Sequence, residues 1–169
     1  MSMAALLLAM QTVLRDRMPI PDGQPPQNYI GIQPAGQLPR SRGQWYVALD
    51  EAGVASTEKV SLSEEYSVEV RIVKQIGQYA PDQLGRVYTD HTPGLDELER
   101  AVIRAIHNNH RLRQIACDNA GAPGQASGDV FQSPLWYVGR GRTELGDKSL
   151  ERRLNFRGAR RVQAIDVMQ

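Results

Sequence analysis

Residues 61–74 read SLSEEYSVEVRIVK and residues 95–117 read LDELERAVIRAIHNNHRLRQIAC, and these two stretches decide the fold. In the first, Tyr66, Val68, Val70 and Ile72 fall on one side of a period-two alternation. Glu65, Ser67, Glu69 and Arg71 fall on the other, the pattern of an antiparallel strand with one wetted face. A slip of one residue would turn the whole apolar set to solvent, so the register is well specified. In the second stretch, Leu95, Leu98, Val102, Ala105, Ile106, Leu112 and Ala116 recur at three- and four-residue steps. That spacing predicts one long amphipathic helix whose apolar stripe lies across the sheet. Thr92 and Pro93 predict its start, with a hydroxyl for the N-cap and proline at the first helical position. Asp96, Glu97 and Glu99 suit its positive end, and Asn119 with Gly121 predicts its finish.

Working outward, Met3 to Met18 places Ala4, Leu7, Leu8, Gln11, Leu14 and Met18 at helical spacing before Pro19 stops the helix. The apolar run at its start is short and is followed by charged residues, so it reads as a helix and not as a targeting signal. Residues 19–43 form a Pro-rich extended arm, with one short edge strand expected at Asn28 to Gln33 around Tyr29, Ile30 and Ile32. Trp45, Val47 and Leu49 predict a strand that ends at turn residues Asp50 to Gly53. Gln75 to Asp90 reads as a loop, and residues 118–133 as a flexible Gly/Ala/Ser loop. From Leu135 onward, the alternation of Trp136 and Val138, a turn at Gly146 and Asp147, and the alternation of Leu150, Arg152, Leu154 and Phe156 predict a long hairpin. Gly158 reads as a bend or bulge before a further strand or tail at Val162 to Val167. The expected architecture is α+β: a largely antiparallel β-sheet packed by an N-terminal helix and one long amphipathic helix, in a single domain over residues 1–169.

Composition narrows the function classes. At 169 residues, 41% hydrophobic and 23% charged with mean hydropathy −0.44, the chain matches an ordinary soluble domain with one core. A formal charge of +1 argues against a generally cationic nucleic-acid binder. Cys117 has no second cysteine to pair with, which favours the cytoplasm and a structural thiol. No window approaches the roughly 20 apolar residues of a membrane span.

Candidate chemistry is sparse. His107 and His110 stand three apart, a spacing that can serve a metal with Asp90 and His91, and a metal-dependent hydrolase is the enzymatic alternative. Their neighbours Asn108, Asn109 and Arg111 favour a solvated helix face instead, so no catalytic residue, metal or cofactor is expected. Gly139, Gly141 and the run Gly121 to Gly128 lack the lysine and following helix of a phosphate loop. Charge patterning is more informative. Residues 140–161 hold eight basic side chains against Glu144, Asp147 and Glu151, a local excess of +5 that includes Arg140, Arg142, Arg152, Arg153 and Arg157. Residues 50–69 hold six acids, among them Glu64, Glu65 and Glu69, against Lys59, an excess of −5. Such surfaces can meet head to tail between copies and close a ring, pair within one protomer across adjacent strands, or, for the basic one, bind nucleic acid.

Four segments carry a family resemblance: LRDRMP at 14–19, EYSVEVRIV at 65–73, PGLDELERAVIRAIHNN at 93–109 and LWYVGRGRTELGDKSLERRLNFRG at 135–158. In their order and texture they resemble tail terminator proteins of long-tailed bacteriophages. The resemblance implies a non-enzymatic virion protein of the phage neck, assembled in the host cytoplasm as a ring, in all a homohexamer. That ring caps the tail tube protein and joins it to the head-tail connector or stopper protein, away from membranes. It further implies subunit or partner contacts at Tyr29, Ile30, Ile32, Glu64, Glu65, Glu69 and Phe131. The basic face of Arg140, Arg142, Arg152, Arg153 and Arg157 would lie at a subunit boundary or line a channel in transient contact with passing DNA. Another neck component, a connector stopper or head-completion protein, is the alternative within this class, and a nucleic-acid-binding module is the one outside it.

Overall fold

A computed structural model describes residues 4–32, 45–56, 63–75, 93–120, 130–131, 134–146 and 149–161. Expectations for residues 76–90, for Thr92, for Gly121 to Asp129 and for Val162 to Val167 lie outside the described residues. Helix α1 spans Ala4–Arg17, built from alanine, leucine and methionine, and Met18 N–H donates to Leu14 O at 2.8 Å before Pro19 ends it. Its buried set is Ala5, Leu6, Leu7, Ala9, Met10, Val13 and Leu14, whereas Ala4 and Leu8 are exposed. The expected stripe was therefore drawn too narrow and rotated. A helix this apolar can bury almost any face, and contacts with the sheet on one side and the other helices on another choose it.

The Pro-rich arm does not project where it is described. A 3-10 turn at Pro26–Asn28 delivers Tyr29 and Ile30 into the core, Tyr29 stacking on Trp45 with ring centroids 4.9 Å apart. Strand β1, Ile30–Gly31, pairs parallel with β2, Trp45–Ser56, at the sheet edge. Gln11 Nε2 donates to Ile30 O at 3.1 Å, which ties the edge strand to α1. In β2 the expected turn at Asp50 to Gly53 is a register shift between Glu51 and Gly53, after which the strand continues. A single extra residue bends a strand without ending it, because pairing resumes on the far side.

Strand β3, Ser63–Gln75, lies between β2 and β7, Ser149–Arg161, antiparallel to both. Tyr66, Val68, Val70 and Ile72 are buried and Glu65, Ser67, Glu69 and Arg71 are half-buried, as the alternation predicts. Strands β4 (Val130–Phe131), β5 (Trp136–Arg140) and β6 (Glu144–Leu145) follow one another along the outer edge of β7, so the sheet ends in an interrupted strand. The predicted hairpin is present as β5 and β6 against β7. Gly158 is not a bulge: β7 runs straight through it, paired with Tyr66, and a Cβ there would strike the Tyr66 ring.

The long helix is broken. Helix α2, Leu95–Ile106, starts at N-cap Gly94, two residues later than expected and without a side-chain cap. Asn108 has φ 51°, and α3, His110–Ala120, then leaves in a new direction. Asn109 serves both helices: its Nδ2 donates to Ala105 O at 2.7 Å and its Oδ1 accepts from Leu112 N–H at 3.1 Å. Asparagine tolerates the left-handed region and offers the backbone local hydrogen bonds, which is why two in succession can end one helix and open another. The break lets α2 cover β3 and β5 while α3 packs against α1, so Leu112 and Ala116 reach the core that the stripe pointed to. The result is an α+β fold with helices on one face of a mixed sheet. Each large side chain in its core, Trp45, Phe156 or Leu154, contributes about 1.5–3 kcal/mol by leaving water.

Candidate functional site

The strongest concentration of charge stands where the first turns of α2 meet the β5–β7 hairpin. Leu150, Arg152, Leu154 and Phe156 all point to the helix-covered side of β7, so the pleat carries an arginine into the core. Arg152 is 3% exposed, and its Nη1 lies 2.6 Å from Asp96 Oδ1 and 2.7 Å from Glu99 Oε2. Its Nε donates to Thr143 Oγ1 at 3.0 Å. Asp96 and Glu99 are one helical turn apart on α2, which places both carboxylates over the same guanidinium. Arg140 of β5 adds a second guanidinium, donating from Nη1 to the same Glu99 Oε2 at 3.1 Å. Beside the cluster, the buried Lys74 of β3 donates to Pro93 O just ahead of the helix. Cations beside a helix N-terminus oppose its dipole, and the two carboxylates offset that cost.

Asp96, Glu99, Arg140, Thr143 and Arg152, with Arg100, line an open cleft of about 480 Å³. Burial raises the Tyr137 phenol above its ordinary value and Glu99 adds to the rise, while Arg140 and Arg152 oppose it. Chemically, the two carboxylates are held by guanidinium groups and the Thr143 hydroxyl accepts from Arg152. The lining holds three guanidinium groups against two carboxylates, one of them the half-exposed Asp96, and exposed Arg100 and Arg140 supply the donor capacity suited to receiving an anion.

The residues expected to form one basic face are divided between two faces. Arg152 is buried in the cluster, so it belongs to no exposed basic surface. On the opposite side of the sheet, which is helix-free among the described residues, Arg157 Nη1 lies 3.5 Å from Glu65 Oε1 and Arg153 Nη1 lies 3.9 Å from Glu69 Oε1. Arg71 Nε lies 2.6 Å from Glu151 Oε1. The acidic and basic segments thus meet inside one protomer, because β3 and β7 are neighbours. Arg142 is exposed and has no partner among the described residues. Glu64 and Phe131 stand in β3 and β4, each paired in register with Arg160 of β7. Tyr29 and Ile30 are core residues, not docking contacts; of that trio Ile32 is exposed.

His107 and His110 fall on either side of the break between α2 and α3. His107 Nδ1 accepts Tyr137 N–H at 2.9 Å and its ring meets Trp136 edge-on at 5.2 Å. Among the described residues no three His, Cys, Asp or Glu side chains are grouped for a metal, and Asp90 and His91 lie outside them. Cys117 is half-buried against the core. No described helix is long and apolar enough to cross a membrane. Sequence reasoning missed Asp96, Glu99, Arg100 and Thr143 as a group, although one signal was present: arginine at an inward position between Leu150 and Leu154.

Comparison with family models gives no match, and comparison with curated protein sequences gives none either.

Proposed function

We propose that this chain is a tail terminator of a long-tailed bacteriophage, a virion neck protein. Copies form a ring, a homohexamer, that caps the tail tube and presents its other face to the head-side connector. The observation that carries this reading is that the four resembling segments all fall in elements of the packed body. They become the end of α1, the central strand β3, helix α2 with its asparagine break, and the β5–β7 hairpin. A non-catalytic role also agrees with the chemistry of the cleft, where the carboxylates are engaged by arginines and the open groups are donors. Function then lies in surface capture: the ring blocks further addition of tube subunits and offers a new surface to the next component.

For the ring contact, exposed Leu8 on α1, Ile32 at one sheet edge and Trp136 at the other are apolar side chains available among the described residues. Sedimentation velocity and native mass measurement test the reading. A hexamer near six times 18.8 kDa that caps purified tail tubes supports it. A species that stays monomeric at high concentration with tubes present overturns it, and binding to the portal-side assembly without capping reassigns the chain to a connector stopper.

A further inference from the structure

Among the described residues, the outer margin of the interrupted edge strand is closed at one end and open at the other. Asn108 N–H donates to Leu135 O at 2.7 Å, and Tyr137 N–H is taken by His107 Nδ1. The α2–α3 junction therefore satisfies the first outward backbone groups of β5, as covered edges in folded proteins require. Beyond Tyr137 this protection stops. From Val138 to Leu145, the strand segments pair only with β7 among the described residues. Val138 is 51% exposed at one end of this margin and Leu145 is 53% exposed at the other. Between them lie exposed Arg140, Arg142 and Glu144, two cations against one acid, and Arg100 of α2 lines the cleft beside them. Arg140 uses Nη1 on Glu99, while Arg100 and Arg142 have no partner among the described residues.

We propose that the 138–145 margin, with the cleft beside it, is a docking surface for an extended acidic segment of a partner polypeptide. The segment adds as a strand to the open edge, sets apolar side chains against Val138 and Leu145, and places a carboxylate between Arg100 and Arg140. Three features select a polypeptide. Unpaired strand edges recognise another backbone in extended form, with alternate side chains giving specificity. Exposed aliphatic side chains flanking a polar centre match a peptide of alternating character and have no counterpart on a phosphodiester chain. Asp96 and Glu99 neutralise most of the positive charge at the cleft, leaving an excess suited to a single carboxylate, whereas nucleic-acid binding rests on neutralising many phosphates. The site does not depend on ring formation, since a monomer carries it whole.

The test uses the full chain, isotopically labelled, with a short soluble peptide alternating glutamate and valine, its lysine counterpart, and a short duplex DNA. Saturable amide shifts centred on residues 138–145 with the glutamate peptide, and none with the lysine peptide, are expected. Arg142→Glu, at an exposed position with no partner among the described residues, should leave the far-ultraviolet spectrum unchanged and weaken the peptide about tenfold or more. Arg140→Glu should weaken it at least as much. Absence of shifts at millimolar peptide, equal binding of the lysine peptide, or indifference to Arg142→Glu overturns the proposal. So does DNA that perturbs the same amides more strongly than the peptide.

Discussion

Arg152 and Arg153 are neighbours in the chain and live in different physical environments. Arg152 points to the helix side of β7, is nearly inaccessible, and meets two carboxylates at 2.6 and 2.7 Å. Arg153 points to the helix-free side, is 46% exposed, and meets Glu69 at 3.9 Å and Glu151 at 3.1 Å. Both are arginines paired with two acids, so a count of ion pairs would score them alike. The energetic difference comes from water. Solvent competes for Arg153 and leaves its pairs worth about 0.2–1 kcal/mol, whereas a lone charge in place of the Arg152 cluster would be stranded in a low dielectric.

The most direct way to break this contrast is Arg152→Ala, which leaves Glu99 buried with only Arg140 beside it. Chemical denaturation should show a loss of about 3–5 kcal/mol. Pairing Arg152→Met with Glu99→Leu should recover most of that loss, since a matched apolar pair needs no counter-charge. A single-variant loss below about 1 kcal/mol would mean that water reaches the cluster and that the two faces are alike.

Next in size is Gly158→Ala, which keeps every charge and alters only volume. Its Cβ meets the Tyr66 ring, and overpacking of this kind costs about 1–3 kcal/mol. Combining it with Tyr66→Leu should be less destabilising than the sum of the two single changes. Strict additivity would show that the strand shifts to make room.

A pH series sharpens the comparison further. Burial raises the phenols of Tyr46, on the helix-free side, and Tyr137, on the helix side, above the ordinary 10.0. Their neutral forms are favoured in the fold, so the unfolded chain loses its protons first. Stability is then full below about pH 10 and falls as pH rises through the folded values. Tyr46→Phe and Tyr137→Phe should each flatten that alkaline fall. At neutral pH Tyr46→Phe should cost little, because its buried hydroxyl has no partner among the described residues. An unchanged alkaline limb in both variants would place the titration elsewhere.

The smallest effect belongs to Arg153→Ala, which should change stability by less than about 1 kcal/mol and lose even that at high salt. A larger, salt-insensitive loss would show that the helix-free face is itself covered in solution.

Local pattern carried the sheet far. The alternation through Tyr66, Val68, Val70 and Ile72 specified both the strand and its buried side, because side chains on a pleat have only two directions to take. The hairpin was legible from Trp136 to Phe156 for the same reason. The site was not legible as a site. Its members come from positions 96–100, 140–143 and 152, and a list of arginines does not say which of them a strand neighbour will neutralise. The acidic run and the basic run looked like two surfaces, and register turned them into partners, with Glu65 beside Arg157 and Glu69 beside Arg153.

What the residues determined by themselves was periodicity: which stretches alternate, which repeat at helical steps, and where Pro19 stops a helix. Those are properties of neighbours along the chain, fixed by backbone sterics and side-chain spacing. Only the tertiary structure decided that Tyr29 and Ile30 would be core, that α1 would expose Leu8, and that Arg152 would be sealed while Arg142 stays open. Each of those outcomes depends on what lies across a contact from a distant part of the sequence, and burial is a property of the pair, never of one residue.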